Sequence, residues 1–201
     1  MKQQKYSFMG LVLRGTEQSG MHGMISYRAS LLLLTILFTS IASGPGTAQT
    51  QFLGPISEET PPAVCWSGWF VSGIRCTGRY CDNIEITCTK IPTATVGADH
   101  RWTPWVSEER PSTAWCGPGP NLIAGFACNG GYCDNISLFC VPLVNLRAIH
   151  CWTTRSVSEE NGGTLSFQEG SSGGIVVASQ MNCSGSHCDN KTFQVCQIRS
   201  P

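Results

Sequence analysis

The sequence predicts a secreted all-β domain built from three disulfide-stapled repeats around a pseudo-threefold axis. The chain has 12 cysteines and 22 glycines in 201 residues, and only 13% of its residues are charged. That composition is typical of turn-rich domains held together by crosslinks. A cysteine-framed unit recurs three times along the chain, and apolar and polar residues alternate within each copy. Such alternation indicates half-buried β-strands.

The first 48 residues are predicted to be a signal peptide and leader. Arg28 precedes an apolar run over 31–38, and small residues follow up to Ala48. A basic flank, a short apolar core and small residues at the cleavage site are the marks of a secretory signal. Cleavage after Ala42 or Ala48 satisfies this rule, and translation could also start at Met24. The run is too short for a membrane anchor, which needs about 20 apolar residues.

The prediction for residues 49–201 is therefore a single exported domain without a transmembrane segment. Its location is extracellular, or periplasmic if the host is a Gram-negative bacterium. Export makes disulfides the default chemistry for its cysteines. The net charge after the leader is about −3, so there is no basic patch to bind nucleic acid. The sequence does not indicate the oligomeric state.

The three repeats span about 52–92, 102–143 and 150–198. Each contains a Ser-Glu-Glu triplet, beginning at Ser57, Ser107 and Ser158, and later the signature Cys-x-Gly-x-x-Cys-Asp-Asn. Alternating residues flank the signature, and its glycine suits a tight turn. Each repeat is thus expected to hold at least one hairpin. One hairpin is too small to bury its apolar face, whereas three can share a core.

All twelve cysteines are expected to form disulfides rather than a metal site, and no metal site is predicted. Four cysteines in a repeat allow three pairings; the preferred one places Cys76–Cys81 inside Cys65–Cys88, with the second repeat alike. The third repeat has one additional residue before its last cysteine, for which a bulge is expected. Its Cys151 is expected to reach a different position and to join repeats. The predicted disulfide cysteines are Cys65, Cys76, Cys81, Cys88, Cys116, Cys128, Cys133, Cys140, Cys151, Cys183, Cys188 and Cys196.

The repeated polar residues of the signature are the candidate ligand-binding residues. Two interpretations are open for the Asp-Asn pairs. Short polar side chains after a turn commonly bind nearby backbone, which favours a structural role; three equivalent sites for a sugar hydroxyl or Ca²⁺ are the alternative. One Asp and one Asn supply too few oxygens for Ca²⁺ alone, so no cofactor is predicted. The candidates are Asp82, Asn83, Asp134, Asn135, Asp189, Asn190, Tyr80, Tyr132 and His187.

The six tryptophans also have two interpretations. Core filling is favoured, and an exposed platform on which a sugar ring stacks is the alternative. The Glu-Glu pairs suggest glycosidase chemistry, which uses two carboxyl groups. Adjacent residues of a strand point to opposite faces, however, and a set that recurs three times suits a scaffold or a multivalent binder better than one catalytic centre. No catalytic residue is predicted.

In the first two repeats, a Glu near a Trp is followed by a Cys, a glycine-containing strand, the triplet Asp-Asn-Ile and a closing Cys. The triplets are Asp82 to Ile84 and Asp134 to Ile136. This order resembles the vitelline membrane outer layer family. The resemblance covers residues 52–198 in spacing, but the Cys-x4-Cys element differs from that family. It implies a β-prism and association with glycans or glycoproteins in an extracellular coat. A β-trefoil is the alternative threefold architecture.

The function expected from the sequence is non-catalytic binding of carbohydrate or a glycoprotein surface. A secreted effector, toxin subunit or inhibitor acting on another protein is an alternative, which an exposed apolar loop around residues 175–177 would favour. A structural coat protein is a second alternative. A glycan-processing enzyme would require acids from different repeats to converge in one cleft.

Overall fold

The computed structural model describes residues 49–110, 112–169, 171 and 173–201. This part is all-β, as predicted, with short 3-10 turns as its helical elements. None of these turns is long and apolar enough to cross a membrane. The predicted signal peptide lies outside the described residues. The strands in chain order are β1 (Thr50–Ile56), β2 (Ala63–Val64), β3 (Trp69–Thr77), β4 (Asn83–Lys90), β5 (Arg101–Trp102), β6 (Thr113–Trp115), β7 (Asn121–Asn129), β8 (Asn135–Pro142), β9 (Arg147–Thr153), β10 (Thr164–Ser166), β11 (Ile175–Ser184) and β12 (Asn190–Arg199).

The strands form three antiparallel sheets of four strands each, in the orders β1-β4-β3-β10, β2-β7-β8-β5 and β6-β11-β12-β9. The long hairpin of one repeat lies at the centre of each sheet. The three central strands β3, β7 and β11 contact one another, so the sheets surround one pseudo-threefold axis as the faces of a prism. Three separate sheets are the arrangement of a β-prism rather than the closed barrel of a β-trefoil.

Each repeat contributes one short strand to the sheet of the next repeat. After its Ser-Glu-Glu turn, the first repeat sends β2 to pair with β7, the second sends β6 to β11, and the third sends β10 back to β3. The exchange closes a ring of three. No repeat can therefore complete its own sheet, which is why the unit occurs as a set of three.

A β-bulge prepares the central strand to receive the strand from the previous repeat. The register of each hairpin shifts at Ser72, Ala124 and Ser179. The carbonyl of each of these residues accepts a hydrogen bond from the incoming chain, donated by the N–H of Phe167, Cys65 and Cys116 respectively. A bulge leaves its additional residue outside the hairpin ladder, so its carbonyl is free to bind the neighbouring repeat.

Six disulfides connect all twelve cysteines, and the nested pairing is correct for the first two repeats. Cys76–Cys81, Cys128–Cys133 and Cys183–Cys188 each close a hairpin turn. Cys65–Cys88 and Cys116–Cys140 join neighbouring sheets, because the first cysteine of each pair follows the exchanged strand. No cysteine of the described part is free. This density of disulfides is typical of extracellular proteins.

Two expectations about the third repeat are wrong. Cys151 pairs with Cys196 across β9 and β12 of one sheet, so it does not join repeats. The additional residue does not bulge out of the hairpin β11–β12, which keeps the register of the other two, with Val195 at the position of Cys88 and Cys140. The register shift at Cys196 occurs instead in the pairing of β12 with β9, where the additional residue belongs to β9. The cysteine, rather than the strand, is displaced by one residue, and it therefore points to the opposite face.

The third repeat replaces the missing inter-sheet disulfide by apolar packing. Phe167 takes the position of Cys65 and Cys116, and its N–H bonds to the bulge of β3. Phe167 and Val195 are fully buried, and the Phe167 ring packs 5.1 Å from that of Phe193. Burial of a phenylalanine contributes about 3 kcal/mol, which is similar to the contribution of a disulfide.

The main core lies between the three sheets and contains ten of the twelve cysteines. Equivalent residues of the three repeats meet there, among them Ile74, Phe126 and Met181 of the central strands. The expectation that the tryptophans fill this core is wrong for most of them: Trp69 is buried, but Trp66, Trp102, Trp105 and Trp115 are exposed. Compact aliphatic residues, phenylalanines and disulfides fill the narrow interior instead.

Residues 175–177 do not form an exposed apolar loop. These residues begin β11, where Val176 and Val177 are fully buried and Ile175 is half-buried. The feature that would have favoured an effector or inhibitor is thus part of the hydrophobic interior.

Candidate functional site

The three hairpin turns meet at one end of the prism. They form the 3-10 turns Arg79–Cys81, Gly131–Cys133 and Ser186–Cys188. At their tips Tyr80, Tyr132 and His187 pack against one another, with ring centroids 4.9 to 5.3 Å apart. We call these three residues the ring cluster. All three are among the candidates predicted from the sequence, and the structure brings them together.

The backbone of the ring cluster has an uncommon conformation. Tyr80, Tyr132 and His187 have φ of 58°, 60° and 53°, and the cysteine after each is also left-handed. Residues other than glycine rarely adopt positive φ, and it carries a cost. The disulfide at each turn and the packing of the three rings hold these residues in place.

A glutamate of the preceding repeat holds each tip. Oε1 of Glu159 accepts a hydrogen bond of 2.6 Å from the N–H of Tyr80, and Oε1 of Glu108 accepts one of 2.7 Å from His187. Oε1 of Glu58 accepts a longer bond of 3.4 Å from Tyr132. The first glutamate of every Ser-Glu-Glu triplet therefore joins two repeats, and the triplet is a turn rather than a strand.

The asparagines of the signature pack over the turn glycines. A Cβ on Gly130 or Gly185 would lie only 2.6 or 2.5 Å from Nδ2 of Asn135 or Asn190, and Asn83 lies equally close to Gly78. These amides therefore lie against the backbone of their own turns. A role of the Asp-Asn pairs in ligand binding remains a prediction.

The aspartates of the signature have different partners in the three repeats. Oδ1 of Asp82 accepts a 2.6 Å hydrogen bond from Asn83 Nδ2. Asp134 instead faces Glu108. Oδ1 of Asp134 and Oε2 of Glu108 are buried and have no hydrogen-bond donor among the described residues. Asp189 and Glu159 leave the same two atoms, Oδ1 and Oε2, without a donor.

In each facing pair of carboxyl groups, the pKa of the aspartate is raised. Burial and the adjacent Glu108 carboxyl group raise the pKa of Asp134 to about 6. Burial acts to raise the pKa of Glu108 as well, but the interaction with Asp134 and hydrogen bonds from backbone N–H groups outweigh it and lower that pKa. Burial and Glu159 likewise raise the pKa of Asp189 to about 6.

The third repeat has a buried cation beside its carboxyl pair. Lys191 is fully buried at the position of Ile84 and Ile136, and its Nζ donates a 2.6 Å hydrogen bond to the carbonyl of Cys188. Burial lowers the pKa of Lys191 to about 8, against the opposing effect of Asp189 and Glu159. Lys191 is not among the candidates predicted from the sequence, although its departure from the isoleucine of the other repeats is visible there.

Within the part of the chain that the structure describes, two groups of side chains have the spacing of metal ligands. In one, atoms of Glu108, Asp134 and His187 lie within 4.8 Å of one another. The other combines Glu58 with Cys128 and Cys133, but these two cysteines form a disulfide and are not available as thiolates.

A separate cleft lies between the first and second sheets. It has a volume of about 210 Å³, and its main side chains are Trp66, Trp69, His100 and Phe139, which we call the aromatic cleft. Its lining includes no carboxylate, lysine or arginine. Trp66 is 63% exposed and stands edge-to-face on Trp69, with ring centroids 5.3 Å apart.

Phe139 of the aromatic cleft is itself held between two rings. His100 packs edge-on to it at 5.9 Å, and Trp102 packs on it at 5.2 Å. The tryptophan count suggested an exposed platform, but not which rings would form it. Residues of two repeats form the cleft, and a repeat pattern does not show which residues of different repeats come into contact. None of the glutamates of the Ser-Glu-Glu triplets, which suggested glycosidase chemistry, lines this cleft.

The chain matches no protein family, and no curated protein or solved structure is significantly similar to it.

Proposed function

We propose that this protein is a secreted, non-catalytic carbohydrate-binding protein and that its aromatic cleft holds the sugar. The observation that carries the proposal is the exposure of Trp66 in the lining of the aromatic cleft. This large apolar side chain is mostly exposed at the mouth of a cleft, and Trp69 fixes its ring. A contiguous patch of exposed apolar surface rimmed by polar residues often marks a ligand-binding groove.

The chemistry of the lining favours a neutral sugar. A pyranose ring has an apolar C–H face, which can pack on an aromatic ring, and a rim of hydroxyl groups. The cleft offers indole and phenyl surfaces together with Ser67 and His100 as polar groups. Binding sites of this kind combine mostly apolar walls with a few polar groups that fix orientation. A charged ligand would find no ionic partner among these side chains.

The positions of the acids support binding without catalysis. Glycoside hydrolysis requires two carboxyl groups on either side of the scissile bond, about 5–10 Å apart. The facing carboxyl pairs, Glu108 with Asp134 and Glu159 with Asp189, lie at the hairpin turns and have buried oxygens. Neither pair lines the aromatic cleft. The six disulfides support secretion, and a role as a coat protein remains an alternative.

A glycan array probed with the oxidised protein tests the proposal. The wild type is expected to bind a defined set of neutral glycans, and Trp66→Ala should reduce the signal at least tenfold. Trp115→Ala is the matched control, because Trp115 is similarly exposed but borders a different groove. The proposal is wrong if the wild type binds no glycan, or if Trp66→Ala binds as well as the wild type.

A further inference from the structure

The prism has three sites that are equivalent by position but differ in chemistry. Each comprises the first Glu of a Ser-Glu-Glu triplet, the Asp of the signature in the same repeat, and the ring-cluster residue of the next repeat. They are Glu58, Asp82 and Tyr132; Glu108, Asp134 and His187; and Glu159, Asp189 and Tyr80. The second site alone includes a histidine.

The first and third sites differ from the second in the groups that surround their carboxylates. In the first site, Asn83 donates to Asp82. In the third site, the fully buried ammonium group of Lys191 acts on Asp189 and Glu159 through its charge, while its hydrogen bond goes to the carbonyl of Cys188. Buried carboxylates require such groups, because removing a charge from water costs several kcal/mol.

The second site lacks the corresponding cation. Ile136 occupies the position of Lys191, and two carboxyl oxygens, Glu108 Oε2 and Asp134 Oδ1, are buried without a donor among the described residues. The N–H of His187 already binds the other oxygen of Glu108 at 2.7 Å. A cation bound between these groups would supply the positive charge that Lys191 supplies in the third site.

We propose that Glu108, Asp134 and His187 form a binding site for Zn²⁺ or a similar divalent transition metal ion. Two carboxylates and one imidazole are ligands that Zn²⁺ takes in proteins, at about 2.0–2.2 Å. A tetrahedral ion would place these atoms roughly 3.4 Å apart, and they now lie within 4.8 Å of one another. Small side-chain rotations close this gap, and a fourth position is left for water. The imidazole favours zinc over Ca²⁺ or Mg²⁺, which prefer oxygen ligands.

Calorimetric titration of the oxidised protein with ZnCl₂, without any glycan, tests the site directly. One Zn²⁺ per chain is expected to bind. His187→Tyr should lower the affinity at least tenfold, while His150→Ala should leave it unchanged. The tyrosine is the residue that the other two repeats use at this tip, so the turn should still fold, which near-UV circular dichroism checks. Absence of saturable binding, or equal affinity of His187→Tyr and the wild type, would overturn the proposal.

A gain of binding provides an independent test. In the double variant Tyr80→His with Lys191→Ile, the third site has the same side chains as the second. This variant should bind two Zn²⁺ per chain, and Tyr80→His with Lys191 retained should bind one, because the lysine already supplies the positive charge. Two sites in the single variant, or one in a folded double variant, would contradict the reasoning. Thermal unfolding with ZnCl₂ gives a second readout, since a ligand that binds the folded state raises Tm.

Discussion

Tyr80 and Glu159 are 79 residues apart in the chain, yet the N–H of Tyr80 donates a 2.6 Å hydrogen bond to Oε1 of Glu159. The glutamate belongs to the third repeat and the tyrosine to the first, so the bond joins the same two repeats as the exchanged strand β10. The ring of repeats is therefore closed twice: by backbone pairing along the sheets, and by a carboxylate at the hairpin turns.

Glu159→Ala should destabilise the protein by about 1–2 kcal/mol. The substitution leaves the N–H of Tyr80 without its charged acceptor, and hydrogen bonds to charged groups contribute about 1.5–3 kcal/mol. Relief of the repulsion from Asp189 offsets a part of this loss. Urea unfolding of the oxidised protein measures the effect. Glu160→Ala, at the exposed neighbouring position, should change stability by less than about 0.5 kcal/mol, and equal effects of the two variants would contradict the assignment.

The third repeat should accept the inter-sheet disulfide that it lacks. Phe167 and Val195 occupy the positions of Cys65 and Cys88, whose Cα atoms are 6.0 Å apart, and the corresponding distance in the second repeat is 5.3 Å. We expect the double variant Phe167→Cys with Val195→Cys to form this bond. Peptide mapping by mass spectrometry should detect it.

The stability of that double variant provides a quantitative check. Phe167→Cys alone removes a buried ring and should cost about 3 kcal/mol. Closure of the bond in the double variant should restore about 3 kcal/mol, as expected for a disulfide that closes a loop of this size. If the two cysteines stay reduced under oxidising refolding, the proposed equivalence of the third repeat with the others is wrong.

Two adjacent glycines should respond in opposite ways to alanine. Gly130 has φ of 78°, and a Cβ there would lie 2.6 Å from Asn135 Nδ2, so Gly130→Ala should cost about 1–3 kcal/mol. A Cβ on Gly131 would meet no atom within 4 Å, and the φ of Gly131 is not in the left-handed region. Gly131→Ala should therefore be neutral or stabilise by about 0.4–1 kcal/mol. Equilibrium unfolding of both variants compares them, and a larger loss for Gly131→Ala would contradict this account of the turn.

The parts of the fold that depend on local spacing could be predicted from the sequence. The hairpin around Cys76 and Cys81 follows from alternation and the turn glycine, whereas the outer pair Cys65–Cys88 was the preferred one of three pairings that the sequence leaves open. The strand exchange could not be predicted, since β2 has only two residues and its pairing with β7 depends on contacts between repeats. The displacement of Cys196 could not be predicted for a similar reason: the sequence alone does not distinguish a longer strand from a cysteine on the opposite face.

The candidate functional residues can also be divided into those that the sequence could predict and those that it could not. Recurrence of the signature identifies Tyr80, Tyr132 and His187 as equivalent positions, and the structure shows that these three residues meet. The aromatic cleft was not predictable, because Trp66 and Phe139 belong to different repeats and only the packed structure shows their approach. Lys191 was predictable, since it interrupts a column of isoleucines at Ile84 and Ile136.

Lys191 should make the stability of the protein depend on pH in the alkaline range. Its pKa is about 8 in the folded protein, against an ordinary value of 10.5, because burial outweighs the attraction of Asp189 and Glu159. The unfolded chain binds the proton more tightly, so the free energy of unfolding rises as pH increases through this window. The expected gain is about 2 kcal/mol between pH 7.5 and 9.5. Urea unfolding at several pH values should show this rise for the wild type and for Lys90→Ile, whose lysine is exposed. In Lys191→Ile the rise should disappear, and an unchanged slope in that variant would show that Lys191 is not the group responsible.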